Sequence, residues 1–105
     1  TEARPGTGST LIRAYDALNI YLNGTGVRAE IVSSSAHDLH RLPAPMLTAL
    51  HLESARQHMV AITAVDARGV WVADPAAGLL KMGHAEFARH FSGQVIVFLR
   101  QRDQR

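Results

Sequence analysis

From residue 11 to residue 22 the apolar side chains Leu11, Ala14, Tyr15, Leu18 and Leu22 recur at steps of three and four, while Arg13, Asp16 and Asn19 fall between them. That spacing predicts an amphipathic helix stopped by Asn23-Gly24. Ser9 or Thr10 is its expected cap, and residues 1–10, rich in Gly, Pro and Thr, read as a lead-in tail or loop. Residues 27–32 alternate Val27, Ala29 and Ile31 against Arg28, Glu30 and Val32, the period of a half-exposed strand. A serine run then caps a short helix over residues 36–41, and Leu42-Pro43-Ala44-Pro45 stops it and keeps the chain extended. Three β-leaning stretches follow at residues 46–52, 58–65 and 70–74, separated by a polar loop at 53–57 and a turn at 66–69. Residues 79–82 form a further short strand, and residues 83–91 carry Phe87, Ala88 and Phe91 at helical spacing. The uninterrupted apolar run 95–99 suits a central strand, and residues 100–105 read as a solvated tail or linker. This order predicts an α+β fold, an antiparallel sheet with flanking helices, and not alternating βαβ units.

The chain has 105 residues, 47% hydrophobic and 19% charged, which describes a single small domain. A chain of this length hides roughly 65% of its unfolded surface, enough for one modest core. No apolar run approaches the roughly 20 residues of a membrane-spanning helix, and no N-terminal stretch has the form of a signal peptide. With no Cys there is no disulfide framework, no thiolate zinc site and no thiol nucleophile. Eleven Lys and Arg stand against nine Asp and Glu, and the ten Arg are scattered apart from a loose cluster at Arg100, Arg102 and Arg105. That distribution does not make a phosphate-tracking stripe, so no nucleic-acid partner is expected. His37 and His40 share a face of the short helix and could meet His51, His84 or His90. The His-Glu-x-x-His spacing is absent, however, and neither a metal nor another cofactor is expected. Gly6 and Gly8 lack the preceding strand and following Lys of a phosphate loop.

Candidate chemistry concentrates on His58 and Asp74, sixteen residues apart at the far ends of the hairpin that turns at 66–69. A His acting as general base needs its far ring nitrogen held by an acceptor, which fixes the tautomer and favours the imidazolium formed during reaction. Asp74 could supply that acceptor. An odd-length loop centred on Asp66 sets the two residues directly opposite, with Cα atoms about 4.5–5.5 Å apart. A two-residue turn at Ala67-Arg68 sends them to opposite faces instead. The plain alternative is two polar residues at solvated strand ends. Ser33, Ser34, Ser35, Ser54 and Ser92 sit on loops without a nucleophile-elbow pattern.

Several features then occur together in order. Leu42-Pro43-Ala44-Pro45 precedes an apolar strand ending in Leu50-His51, and His58 opens Met59-Val60-Ala61-Ile62. Val70-Trp71-Val72-Ala73, Asp74-Pro75 with Gly78, Glu86-Phe87 and the Ser92-Gly93 step follow. Over residues 42–99 the chain resembles the C-terminal two-thirds of the bacteriocin-processing cysteine peptidases, a papain-like family. Its members cut double-glycine leader peptides, often as the N-terminal domain of an ABC exporter. The resemblance implies that His58 is the catalytic base and Asp74 its orienting carboxylate. It also places Met59 and Trp71 near the wall of the substrate groove, although simple core packing is the stronger account of both; Gln57, next to His58, could line the cleft. The family's catalytic Cys and the upstream Gln of its oxyanion hole have no counterpart in this sequence.

Two expectations follow from that departure. In one, the chain is an N-terminally shortened part of a peptidase domain, as its start without Met suggests; its partners are then a leader peptide and a fused exporter at the cytoplasmic face. In the other, it is an inactive peptidase-like domain that binds a peptide or secretion substrate. A structural or metal-dependent domain unrelated to peptidases is the third class. If a covering helix is missing, apolar surface is left open and the chain should tend to aggregate.

Overall fold

The computed structural model describes residues 9–51 and 57–100. Six strands, β1 (Val27–Ser33), β2 (Met46–His51), β3 (Gln57–Asp66), β4 (Gly69–Asp74), β5 (Gly78–Met82) and β6 (Phe91–Arg100), form one antiparallel sheet. Their order across the sheet is β1-β6-β2-β3-β4-β5. Helix α1 (Ser9–Leu22) precedes the strands, a 3-10 helix (Ala36–Arg41) links β1 to β2, and α2 (His84–His90) links β5 to β6.

The sheet has an apolar cluster on each face. On one, α1 lays Leu11, Ala14, Tyr15, Leu18 and Leu22 against Ala29 and Ile31 of β1, Leu47, Met59, Ile96 and Phe98. Asn19 fastens this helix to the sheet edge. Its side-chain oxygen accepts the Ala29 N–H at 2.9 Å and its amide donates to the Ala29 carbonyl at 3.2 Å, pairing groups that an edge strand leaves open. On the other face, Leu39 of the 3-10 helix and Phe87 of α2 cover Met46, Leu50, Val60, Ile62, Val70, Val72, Val95 and Val97. Strand β6 feeds both clusters, with Val95 and Val97 to one side and Ile96 to the other. That is why its sequence shows no polar alternation. The buried Thr48 hydroxyl donates to the Gln94 carbonyl at 2.7 Å, so the one polar side chain sealed among these strands is satisfied.

Most predicted elements lie where the periodicity placed them, and the differences have physical reasons. Helix α1 already includes Ser9 and Thr10, so the expected cap falls inside the helix, and the chain ahead of it lies outside the described residues. The short helix at 36–41 is of 3-10 type, with the Ser35 hydroxyl accepting the Asp38 N–H. Strand β6 is twice the length of the apolar run. The polar Ser92, Gly93 and Gln94 join it because Gln94 pairs with Ser33 and Phe91 with Leu50, and Arg100, read as tail, pairs with Val27. Gln57 opens β3, so only part of the expected polar loop remains, and residues 52–56 and 101–105 lie outside the described residues. Ile12, Ile20 and Tyr21 on α1, and Leu79 and Leu80 on β5, are exposed.

Candidate active site

His58 stands second in β3 and Asp74 ends β4, the strand beside it. Their turn is the two-residue kind, with Asp66 paired to Gly69, which taken alone would put the two side chains on opposite faces. Thr63 reverses that outcome. Ile62 pairs with Val72 but Ala64 pairs with Trp71, so Thr63 is an extra residue that shifts the register by one. Beyond it Ala61 pairs with Ala73. Continued by one residue, this register sets Asp74 across from Val60, with His58 two residues along on the same face. Such a diagonal pair is within reach of two long polar side chains.

The side chains meet. His58 Nε2 lies 2.9 Å from Asp74 Oδ2, with the imidazole 31% and the carboxylate 14% exposed. An ionised carboxylate only accepts, so Nε2 carries the proton and donates. In the neutral ring Nδ1 is then the basic nitrogen, and it has no hydrogen-bond partner among the described residues. Buried Leu50 sits across from His58 on β2, an apolar flank to the imidazole.

The turn after β4 fixes Asp74 from its other side. Oδ1 accepts the N–H of Ala76 at 2.7 Å and of Ala77 at 3.2 Å. The Ala76 N–H, then the His58 imidazole, hold the Asp74 carboxyl below the usual carboxylate range, against a smaller opposing effect of desolvation. Sequence reasoning passed over these two amides. Their signal was an Asp followed by Pro and, three residues later, Gly at a strand end, which is the composition of an Asx turn.

The other candidate residues are not gathered around this pair. Met59 points to the opposite face and packs in the α1 cluster. Trp71, out of step with buried Val70 and Val72, lies on that opposite face too, where its Nε1 donates to Asp66 at 3.4 Å and the Lys81 ammonium sits 5.7 Å from its ring centroid. Contact between either residue and a substrate would therefore come from the α1 side of the sheet. Gln57 pairs with His51 at the mouth of the β2–β3 hairpin. The remaining histidines do not gather at this pair either: His40 bonds the His37 carbonyl, His84 the Asp66 carbonyl and His90 the His51 carbonyl. Among the described residues no group of three or more His, Cys, Asp or Glu side chains is placed to hold a metal ion.

A cavity of about 830 Å³ opens between the 3-10 helix and α2, lined by His37, His40, His84 and Phe87 with Val65 and several alanines. It borders the tip of the β3–β4 hairpin, at the end of β3 away from His58, so it is not the space around the His58–Asp74 pair.

The profile of the peptidase C39 family matches residues 13–103. The chain belongs to the peptidase C39 family. A search of curated proteins finds no match to it. Among solved structures, this C39 chain is similar to a double-glycine-motif protease from an AMS/PCAT transporter, determined in complex with its leader peptide. The identity is 21% over 94% of this chain and 64% of that one, with a TM-score of 0.72. The chain thus spans a little under two thirds of the length of that protease structure. It is similar as well to the peptidase domain of Streptococcus ComA, a bifunctional ABC transporter involved in quorum sensing, at 16% identity over 94% and 71% of the two chains and a TM-score of 0.65. A third likeness is to a periplasmic domain of the EpsAB fusion protein of the Vibrio vulnificus type II secretion system. There the identity is 17% over 71% of this chain and 33% of that one, with a TM-score of 0.62. Among the described residues no helix of this C39 chain is long and apolar enough to cross a membrane.

Proposed function

We propose that this C39 chain is the base-bearing part of a cysteine endopeptidase domain that cuts leader peptides behind a double-glycine motif, in a setting of peptide export. The observation that carries the reading is the His58–Asp74 hydrogen bond, which leaves Nδ1 as the basic nitrogen of an imidazole held in one tautomer. In that role Nδ1 takes the proton from a thiol, and the thiolate attacks the scissile carbonyl. Asp74 stabilises the imidazolium so formed, which then gives the proton to the leaving amine. The thiol comes from outside these 105 residues, which contain no Cys. Likeness to a double-glycine-motif protease solved with its leader peptide supports the substrate class, and likeness to the ComA peptidase domain supports fusion to an exporter, on the cytoplasmic face.

A second reading, a peptidase-like domain that binds a peptide or secretion substrate without turnover, is favoured by the lack of Cys and by the likeness to a periplasmic secretion domain. The deciding experiment is to read the coding sequence on the N-terminal side of Thr1 and assay the protein it encodes on a Gly-Gly leader peptide. A Gln followed within a few residues by a helix-opening Cys, with cleavage abolished by His58→Ala, is the expected result. No such Cys, and leader peptide bound but uncut, overturns the enzyme reading.

A further inference from the structure

An aspartate held only by an imidazole can swing about its own side-chain torsions and share its two oxygens among several partners. Asp74 is held differently. Two backbone amides occupy Oδ1, so Oδ2 alone faces His58. For both amides to converge on one oxygen, the chain must curl over the carboxylate and still re-enter the sheet at Gly78, directly across from Asp74. Gly78 makes that re-entry at φ +89°, where a side chain strains against its own backbone. A Cβ there would meet open space, with nothing within 4 Å. The need for glycine at this position is therefore conformational and not a matter of packing.

The preceding hairpin supplies an internal contrast. Asp66 also accepts a turn amide, that of Arg68 at 2.8 Å, and a glycine follows it into the next strand. Only the Arg68 amide makes a well-formed hydrogen bond to its Oδ1, with the Gly69 N–H adding a weaker pull on the carboxyl, and its Oδ2 receives the Trp71 indole at a long 3.4 Å. Gly69 is required by packing, since a Cβ would lie 2.5 Å from the Met82 carbonyl oxygen. An Asx turn that merely closes a hairpin needs no more than this. The two-amide clamp on Asp74, aimed across a strand at an imidazole, goes beyond it.

We propose that Gly78 is a positioning residue for His58: its left-handed backbone holds the turn that clamps Asp74 Oδ1, and through Asp74 Oδ2 it fixes which imidazole nitrogen carries the proton. The catalytic meaning of that tautomer rests on the proposed peptidase function; the physical claim does not.

The test is nitrogen-15 NMR of the His58 ring, with carbon-13 titration of the Asp74 carboxyl, on the 105-residue chain as wild type, Gly78→Val and Gly78→Asn. The wild type should show a single neutral tautomer with the proton on Nε2. Gly78→Val should give mixed tautomers and an Asp74 midpoint shifted up toward ordinary carboxylates. Gly78→Asn, which tolerates positive φ, should restore both wild-type signals. A folded Gly78→Val with the wild-type tautomer and Asp74 midpoint overturns the proposal, whatever its melting temperature. Should the valine variant fail to fold, Gly78→Ala carries the same two readouts, and unchanged signals there overturn it equally. Neither signal depends on cleavage. Failure of the longer encoded protein, with its upstream segment, to cut a leader peptide therefore counts against the peptidase reading alone.

Discussion

Replacing Phe87 with alanine isolates what holds α2 on the sheet. Phe87 is the only buried residue of that seven-residue helix, it is 0% exposed, and its ring stacks on Phe91 with centroids 5.2 Å apart. Truncating a buried Phe to Ala costs about 3–5 kcal/mol, the sum of lost transfer energy and the cavity left behind. The open cleft lined in part by Phe87 lets water reach the gap and limits the cavity contribution, which places the expected loss at about 3–4 kcal/mol. A domain of this size has a total stability of roughly 5–15 kcal/mol, so the change is a large fraction of it. At about 4–8 °C per kcal/mol the melting temperature should fall by at least ~12 °C. Urea unfolding followed by the fluorescence of Trp71, the single tryptophan and on the opposite face of the sheet, reads the loss without touching the reporter. Phe87→Leu keeps the apolar contact and should cost under about 1.5 kcal/mol. A loss below about 1 kcal/mol for the alanine variant, at unchanged denaturant dependence, would refute the view that this ring anchors α2.

Thr48→Val keeps the shape but leaves the part-buried Gln94 carbonyl to the Ser92 hydroxyl at a longer 3.4 Å; a loss of about 1 kcal/mol in urea unfolding is expected, and Thr48→Ser should recover part of it. Asn19→Ala removes both bonds to Ala29, and about 1–2 kcal/mol with faster hydrogen exchange at the Ala29 amide is expected, because an edge strand offers that amide only water in return. The Arg68 N–H holds the Asp66 carboxyl, and the Ala76 N–H the Asp74 carboxyl, below their ordinary values. A native value below the unfolded one gives stability that is complete above the unfolded carboxylate value of about 3.9 and is lost as pH falls through the native value. The melting temperature should therefore begin to drop near pH 4 on acidification. Asp74→Asn should flatten that acid limb, and an unchanged limb in the variant would mean that Asp74 does not titrate as described.

The elements were legible because each is driven by a local pattern. Leu11, Ala14, Tyr15, Leu18 and Leu22 need a single apolar surface, and α1 finds it; the run through Val95, Ile96 and Val97 needs two, and only an interior strand provides them. What local patterns do not carry is the choice of neighbour. Nothing in the period-two alternation of β1 says that it pairs with β6, more than sixty residues away, or that β6 separates β1 from β2. The length of β6 shows the same limit, since Ser92 to Gln94 are strand because of their partners and not their composition. Met59 and Trp71 show it for the site: the family resemblance put them by the groove and core packing was the stronger alternative, and alternation along the strands turns both to the face away from His58 and Asp74.

The His58–Asp74 pair was legible as chemistry and open as geometry, and the reason lies in one residue. Counting from the turn, the even separation of sixteen and a two-residue connection predict opposite faces. The turn does have two residues, and the side chains nevertheless meet, because β3 spends one extra residue at Thr63. The trace of that bulge is a break in period. Val60 and Ile62 are buried two apart, but the next side chain packed on the same cluster is Val65, three further on. In the sequence Thr63 and Ala64 suit a strand as well as any neighbour, so the broken period is invisible until the partner strand is known. The same turn and separation without the bulge would set Asp74 across from Ala61 and leave His58 on the α1 side of the sheet. The bulge, and not the turn, is therefore what brings His58 to Asp74.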